Sequence, residues 1–595
     1  MDKIMKKNYS KWLVLIMEFI LYLVLFCFKK IVHFDIISHL LMIAIIIVSW
    51  YYFFNKTINK FKYTKIQLIF LIIIDLCISF FVSGKVLFLT DSVISISFFS
   101  ILLYLLTIIF MFPFICNLIY LLDNVNIVDK KANNESSKKF AIKIFFLSFA
   151  IMLIYCIAFY PGNITSDTVD QIAQAIGEYP INNAHPAINA IIIRLLLNVW
   201  NNIFVIVIGY SLFFSLILTH IYKFLYEQKI NKKFLYISLL IFLVSVNNMS
   251  LITMAWKDVP FTISLLWLTF ESYKIVKLKD SYFKSIINIL FFILSMTLTY
   301  YFRYNGMFPF IVMIAYLLFI TFKLREKLKI VVTIILCFLS IWFVKGPVYD
   351  YFEVSQTDGI SGGAASFAAK GLGALVYYDG NLSEEDLETI SQLADLDDLK
   401  EFYYAYNIDT YSFQDIHFNE GIDRLGVAKI YGMYIKHLFK NPNIIVRDRL
   451  DGSNLLWSYE TPKGGFDYKY DFGVQYPNWV EDFKGFERNE GTAYFPKSNI
   501  LKSGISFYQK VVNKIVLLDS FFWRGGIVLS IFVVLMYFIF IRKIHIIPAT
   551  YPTIINILFW FALLNNQSYR YIWFLYINTF FLIIFTLLEK KKTNK

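Results

Sequence analysis

The feature that most constrains this chain is a series of long apolar runs that recurs from one end to the other. Each run is about 18–20 residues long, which is the length of helix that crosses about 30 Å of hydrocarbon. A soluble protein of 595 residues, 58% of them hydrophobic, would leave large apolar patches in water. The sequence therefore predicts an all-α polytopic membrane protein.

The apolar runs predict about fourteen transmembrane helices. Their approximate ranges are 12–28, 36–54, 66–84, 93–113, 141–160, 203–222, 234–252, 259–276, 284–301, 305–322, 328–346, 525–541, 547–564 and 571–588. Lysine and arginine are concentrated in every second loop between these runs. The positive-inside rule therefore places both termini in the cytoplasm of a multi-pass plasma-membrane protein. The same rule accounts for the net charge of +13, and no nucleic-acid partner is needed to explain it.

Four parts follow from this reading. Transmembrane helices occupy 1–140, and a second transmembrane module with an outer loop at 161–200 occupies 141–346. An extracytoplasmic domain, expected to be mostly helical, covers 347–515. Further transmembrane helices occupy 516–595.

The outer loop contains the stretch "PGNITSDTVDQIAQAIGEYPINNAHP", in which polar residues recur with a helical period. One face of the predicted helix is apolar, and Gly177 ends the helix. The other face carries Asp167, Asp170, Gln171 and Gln174. These residues predict a short amphipathic helix at the membrane surface, with its carboxylates directed toward a polar ligand. His185 precedes a second short helix, whose start favours an anion. Two surface helices with ordinary caps are the alternative.

Charged residues also mark the outer ends of three predicted spans. "WKDVP" contains Lys257 and Asp258, "FRYNG" contains Arg303 and Asn305, and "YRYIW" contains Arg570. Each motif alone is typical of a snorkelling anchor or a simple ion pair. Together they place acids, bases and amides at one depth on one side, as a site for a phosphate-linked lipid requires.

The outer domain contains many aromatic residues between positions 457 and 479. Aromatic faces often cover the C–H faces of sugar rings, so Trp457 and Trp479 are candidates for binding a glycan. A small aromatic core or an interfacial belt is the alternative.

The order of "FYPGNITSDTVDQ…HP", "WKDVPF", "FRYNG" and "YRYIWFLY" resembles a bacterial family of polytopic, glycosyltransferase-like membrane proteins of uncharacterised activity. More distantly, the sequence resembles the GT-C superfamily of membrane glycosyltransferases. The resemblance covers roughly 140–320 and the last spans. It implies a GT-C-like fold and transfer of a sugar, with inversion, from a polyprenyl-phosphate donor to a cell-envelope glycan on the outer face.

The resemblance also implies roles for individual residues. Asp167, with Asp170 as second choice, matches the acid that acts as general base. His185, Lys257, Asp258, Arg303, Asn305 and Arg570 are candidates for holding phosphate or acceptor. The proximity of Asp167 and Asp170 is expected to raise the pKa of one of the two carboxylates. A divalent metal is possible, although no acidic pair marks a metal site and no cofactor is certain.

Two other functions compete with this one. A transporter or flippase of lipid-linked saccharides would favour inverted repeats and polar residues at mid-membrane. The sequence shows no obvious repeat, and its charged motifs lie at one face. A structural assembly protein would leave the acidic loop without a role.

Overall fold

Every regular element is a helix in the part of the chain that the structure describes. The structure is a computed structural model, and it describes residues 2–57, 64–89, 94–129, 135–319, 324–355, 360–460, 499–564 and 566–590. Helices up to the middle of the chain are α1 (Asp2–Tyr22), α2 (Ile36–Tyr52), α3 (Lys65–Phe88), α4 (Phe98–Asn124), α5 (Ser137–Ala158), α6 (Ser166–Ile176), α7 (Ala187–Val199), α8 (Phe204–Glu227), α9 (Lys232–Leu243), α10 (Val246–Ile252), α11 (Asp258–Leu278), α12 (Ile286–Phe302), α13 (Met307–Phe319), α14 (Leu324–Phe343) and α15 (Tyr349–Tyr351). The others are α16 (Ile360–Tyr377), α17 (Glu384–Ile390), α18 (Leu396–Glu401), α19 (Asp409–Ser412), α20 (Phe418–Leu425), α21 (Val427–Lys440), α22 (Pro442–Gly452), α23 (Asn454–Trp457), α24 (Asn499–Lys514), α25 (Val516–Trp523), α26 (Gly525–Ile541), α27 (Ile547–Leu563) and α28 (Trp573–Glu589).

Eight helical segments are long and apolar enough to cross a membrane. They are Lys11–Phe28, Ile36–Thr57, Lys65–Phe88, Phe98–Asn124, Ser137–Ala158, Phe204–Glu227, Glu326–Tyr351 and Tyr569–Glu589. Two helix pairs, α9–α10 bent by 64° and α25–α26 bent by 66°, bring the number to ten if each pair is one span. The chain is thus an all-helical protein with eight to ten candidate spans among its described residues.

The four other predicted spans correspond to helices that fall short of this test. Three of them, α12, α13 and α27, are apolar but only 17, 13 and 17 residues long. The fourth, α11, carries Glu271 and Lys274, yet every residue from Asp258 to Ile275 is buried. Helices α8, α12, α27 and α28 pack around α11, so its buried charged residues are surrounded by protein and not by lipid.

Polar contacts fix the C-terminal half of α11. Glu271 is fully buried and accepts hydrogen bonds from the Tyr282 hydroxyl (2.6 Å) and Lys274 Nζ (3.0 Å). His220 Nε2, on α8, lies 2.9 Å from the same carboxylate. A buried carboxylate with several partners stabilises one arrangement of the helices that supply them. The opposite end of α11 begins at Asp258, and the candidate site lies there.

Helices α16 to α22 enclose a hydrophobic core of their own, from Ala365 to Ile445. The predicted outer domain is therefore helical in its described part. Trp479 lies in 461–498, outside the described residues. Trp457 is 1% exposed, donates from Nε1 to the Leu450 carbonyl (3.0 Å) and stacks on Phe80 at 5.1 Å. Its indole belongs to the packing between α23 and α3, and not to the ligand surface that the sequence predicts.

Candidate functional site

Backbone pairing brings the acidic loop to the start of α11. The Asn163 N–H donates to the Thr253 carbonyl (2.8 Å), and the Ala255 N–H donates to the Asn163 carbonyl (3.2 Å). Gly162 has φ +123°, and a Cβ there would lie 2.9 Å from Val207 Cγ1, so the turn requires glycine. This pairing places the first turn of α6 beside Lys257.

Asp167 lies at the centre of the site. Its Oδ2 accepts from Arg570 Nη1 (2.8 Å), which is 403 residues away in the chain, and from Lys257 Nζ (3.2 Å). Lys257 Nζ is also 3.2 Å from Nδ1 of His185. Because an ammonium group can only donate, Nδ1 accepts, and a neutral His185 carries its proton on Nε2. Nε2–H is then a donor available for a ligand.

A second carboxylate, Asp258, pairs with the remaining arginine. Arg303 forms a salt bridge to Asp258, and Arg570 Nη1 lies 3.9 Å from the same carboxylate. Arg303 Nε donates to Asn305 Oδ1 (3.1 Å), and Asn305 Nδ2 donates to Asn556 Oδ1 (2.9 Å). These bonds hold the "FRYNG" turn against α27.

Five predicted residues thus meet in one place, and we call them the ionic cluster: Asp167, Lys257, Asp258, Arg303 and Arg570. The cluster has three cations and two carboxylates, so its net charge is +1. Asp258 is 1% exposed and the side chain of Lys257 is 9% exposed, whereas 23% of the Asp167 side chain is open. The cluster is therefore mostly desolvated and reaches solvent beside Asp167.

Aromatic rings enclose both arginines. The Arg303 guanidinium lies 4.8 Å from the Tyr571 ring and 5.0 Å from Trp560. The Arg570 guanidinium lies 4.9 Å from Tyr571 and 4.6 Å from Trp256. Sequence reasoning missed these rings, although Trp256 and Tyr571 directly adjoin Lys257 and Arg570 in the chain. Trp560 offers no such signal.

Asp170 lies outside the ionic cluster. Its carboxylate accepts from Gln174 Nε2 (2.9 Å) and from the Tyr179 hydroxyl, so it supports the turn that follows α6. Gly177 ends α6 in the left-handed conformation, at φ +85°, as predicted. Part of the predicted polar face is buried, because Gln171 is 1% exposed and accepts from Asn189 Nδ2 (2.8 Å) on α7.

The neighbours of Asp167 lower its pKa. Burial alone would raise that pKa, but Arg570, Lys257 and His185 outweigh burial and hold the pKa of Asp167 well below its usual range. Burial lowers the pKa of Lys257 to about 8, with Arg570 and Arg303 acting in the same direction against Asp167. Burial and Lys257 together lower the pKa of His185 to about 4. At neutral pH, Asp167 is a carboxylate with little tendency to accept a proton, and His185 is neutral.

One acidic residue of the predicted outer domain contacts the loop that leads into Arg570, and the sequence analysis did not identify it. Asp409 Oδ2 accepts from Asn566 Nδ2 (2.6 Å), close in sequence to Arg570. Asn407 forms an antiparallel backbone bridge with the same Asn566. Burial raises the pKa of Asp409, Arg570 opposes this rise, and Asp167 adds to it. No local pattern marks Asp409, because the contact joins segments that are distant in sequence.

The described residues include no cluster of metal-binding side chains. Within the described ranges, no three histidine, cysteine, aspartate or glutamate side chains gather in a way that could hold a metal ion. The cluster instead offers guanidinium and ammonium groups, which suit phosphate and carboxylate.

No protein-family model matches the chain, and no curated protein or solved structure matches it. The function is therefore argued from the chemistry of the ionic cluster.

Proposed function

We propose that the protein is an integral membrane glycosyltransferase. It would take a sugar from a polyprenyl-phosphate donor and transfer it, with inversion, to a cell-envelope glycan on the outer face. The observation that supports this proposal is the ionic cluster, in which two arginines and a lysine are desolvated together with only two carboxylates.

A phosphate-linked sugar gives these cations a chemical role. When the bond between the sugar and the phosphate breaks, negative charge develops on the leaving phosphate. Preorganised cations stabilise that charge more strongly in a desolvated site than in water. Arg570 and Lys257 would hold the phosphate, and His185 Nε2–H would donate to it. Asp167 and Asp258 would keep the cations in position until the phosphate arrives.

The proposed orientation follows from the distribution of charge. The basic loops alternate with loops that carry every residue of the ionic cluster, which favours cytoplasmic termini and an outer site in the plasma membrane. A GT-C-like arrangement with about fourteen spans would place the lipid donor beside α6 and α11. A cysteine introduced at Asp397 should react with an impermeant reagent from outside; reaction only from inside would overturn this orientation.

A transporter of lipid-linked saccharides is the second candidate function. The observation that favours it is the pair of broken helices, α9–α10 and α25–α26. Transporters often place discontinuous helices around a substrate site near the bilayer midplane. The charges of the ionic cluster instead lie at helix ends.

The two functions differ in what happens to the donor. Purified protein in vesicles would be given radiolabelled polyprenyl-phosphate hexoses on the outer face, with cell-envelope glycan as acceptor. A glycosyltransferase releases polyprenyl phosphate and labels the glycan, whereas a transporter moves the intact donor between leaflets. Intact movement without transfer would contradict the proposal.

The pKa of Lys257 leads to a prediction about pH. Phosphate binding needs the protonated amine, so kcat/KM for the donor should fall as pH rises through about 8. Bound phosphate favours the ammonium form of Lys257. The fall in activity should therefore move to higher pH when the donor saturates the site. Lys257→Arg should remove this fall in activity, because arginine stays charged over the whole pH range. If the fall in activity persists unchanged in the Lys257→Arg variant, the titration of another group causes it and the prediction is wrong.

A further inference from the structure

We infer that the outer domain supplies the general base of this site and that the base is Asp409. The inference rests on the proposed function. Its starting point is the contact between α19 and the loop that carries Asn566, Gln567 and Arg570. That contact brings a carboxylate from the outer domain to the loop that leads into Arg570 of the ionic cluster.

Several bonds hold the outer domain in this position. Besides the bond from Asn566 to Asp409, Gln567 Nε2 donates to the Gly452 carbonyl (2.9 Å) at the end of α22. At the start of α19, the backbone N–H of Asp409 donates to Asn407 Oδ1 (3.0 Å). Asn407 therefore fixes the backbone of Asp409 and Asn566 holds its side chain, which gives the oriented position that a reacting group needs.

The two carboxylates near Arg570 have different partners. Asp167 is bonded by a guanidinium and an ammonium group, which strongly favour its ionised form. Among the described residues, the hydrogen bonds to the Asp409 carboxylate come from amide groups, and no salt bridge holds it. Amide donors stabilise a carboxylate less than paired cations do. Asp409 is therefore the stronger base of the two, and burial raises its pKa further toward neutrality, where general bases work best.

This assignment divides the reaction between two surfaces. The acceptor hydroxyl transfers its proton to Asp409 as its oxygen attacks the anomeric carbon of the donor. The bond from that carbon to the phosphate oxygen breaks, and its electron pair leaves with the polyprenyl phosphate. Arg570 and Lys257 bind the departing phosphate, while Asp409 later releases its proton to water. The acceptor would accordingly bind between the outer domain and the ionic cluster.

The test compares variants in the vesicle assay with radiolabelled polyprenyl-phosphate hexose. Asp409→Asn keeps the shape and should lower kcat by about two to four orders of magnitude, with little change in donor KM. Asp409→Glu should recover part of this loss. Asp415→Asn is the matched control, since that side chain is fully exposed on the same domain and should transfer at the wild-type rate.

Exchanging Asp409 and Asn566 tests whether Asp409 is a general base or only holds the domain in place. The double variant Asp409→Asn with Asn566→Asp keeps an amide–carboxylate pair but moves the carboxylate to the other segment. If the exchange restores wild-type transfer, the pair only holds the domain in place, and the inference is wrong. If Asp409→Asn alone transfers normally, the inference fails while the proposed function stands. If wild-type protein neither transfers sugar nor releases polyprenyl phosphate, both fail.

Discussion

Replacing Arg570 with alanine should lower kcat/KM for sugar transfer by about 100- to 1,000-fold, the usual effect of removing one donor to developing charge. Arg570 is the residue that links the two halves of the ionic cluster, since it bonds Asp167 and lies 3.9 Å from Asp258. Without it, Lys257 and Arg303 face two carboxylates, and the surplus positive charge is gone. Competition by inorganic phosphate against the donor should weaken in parallel.

Two further variants sharpen this result. Arg570→Lys keeps the charge but cannot bond Asp167 and the Tyr571 hydroxyl together, so an intermediate loss is expected. Arg424→Ala removes an exposed arginine of the outer domain and should leave transfer unchanged. If Arg570→Ala stays within threefold of wild type, the ionic cluster does not bind the phosphate.

The second large effect should be on stability. Asp258 is 1% exposed and is the counterion of Arg303, so Asp258→Asn leaves buried positive charge with one carboxylate fewer. Removing one partner of a buried ion pair costs about 3–5 kcal/mol. The free energy of unfolding should fall by that amount, measured by denaturant titration in detergent micelles.

A double-mutant cycle isolates the pair from the rest of the site. Arg303→Met alone should also destabilise the protein, because Asp258 then loses its closest cation. The variant with both Asp258→Asn and Arg303→Met should be at least about 1 kcal/mol more stable than the sum of the single losses predicts. Strict additivity would mean that the two side chains do not interact in the folded protein.

The gathering of the charged residues could be predicted from the sequence because sidedness restricts where span ends can meet. The positive-inside rule assigns the ends of the predicted spans at Lys257, Arg303 and Arg570 to the same side, so it predicts that one face of the membrane contains them all. Their pairing could not be predicted in this way. The orientation of one helical turn decides that Asp170 bonds Tyr179, while Asp167 meets two cations that lower its pKa.

Length and burial limited the prediction of the spans. Periodicity located α12, α13 and α27 but not their short lengths, and it could not tell that α11 is surrounded by protein. Trp457 was misread for a related reason, since an aromatic residue that packs a core and one that binds a sugar look identical in a sequence. Asp409 lies far from the cluster in sequence, and only the folded chain brings it near Asn566.

The bond between Asp167 and Arg570 also orders the events of biosynthesis. The chain is made from its amino terminus, and 403 positions separate the two residues. At about 5–20 residues per second, Arg570 is synthesised roughly 20–80 s after Asp167. A polypeptide released early would keep its buried acids without this counterion, and we expect membrane proteases to remove such fragments. Arg570 thereby completes the charge balance of a loop that was synthesised much earlier.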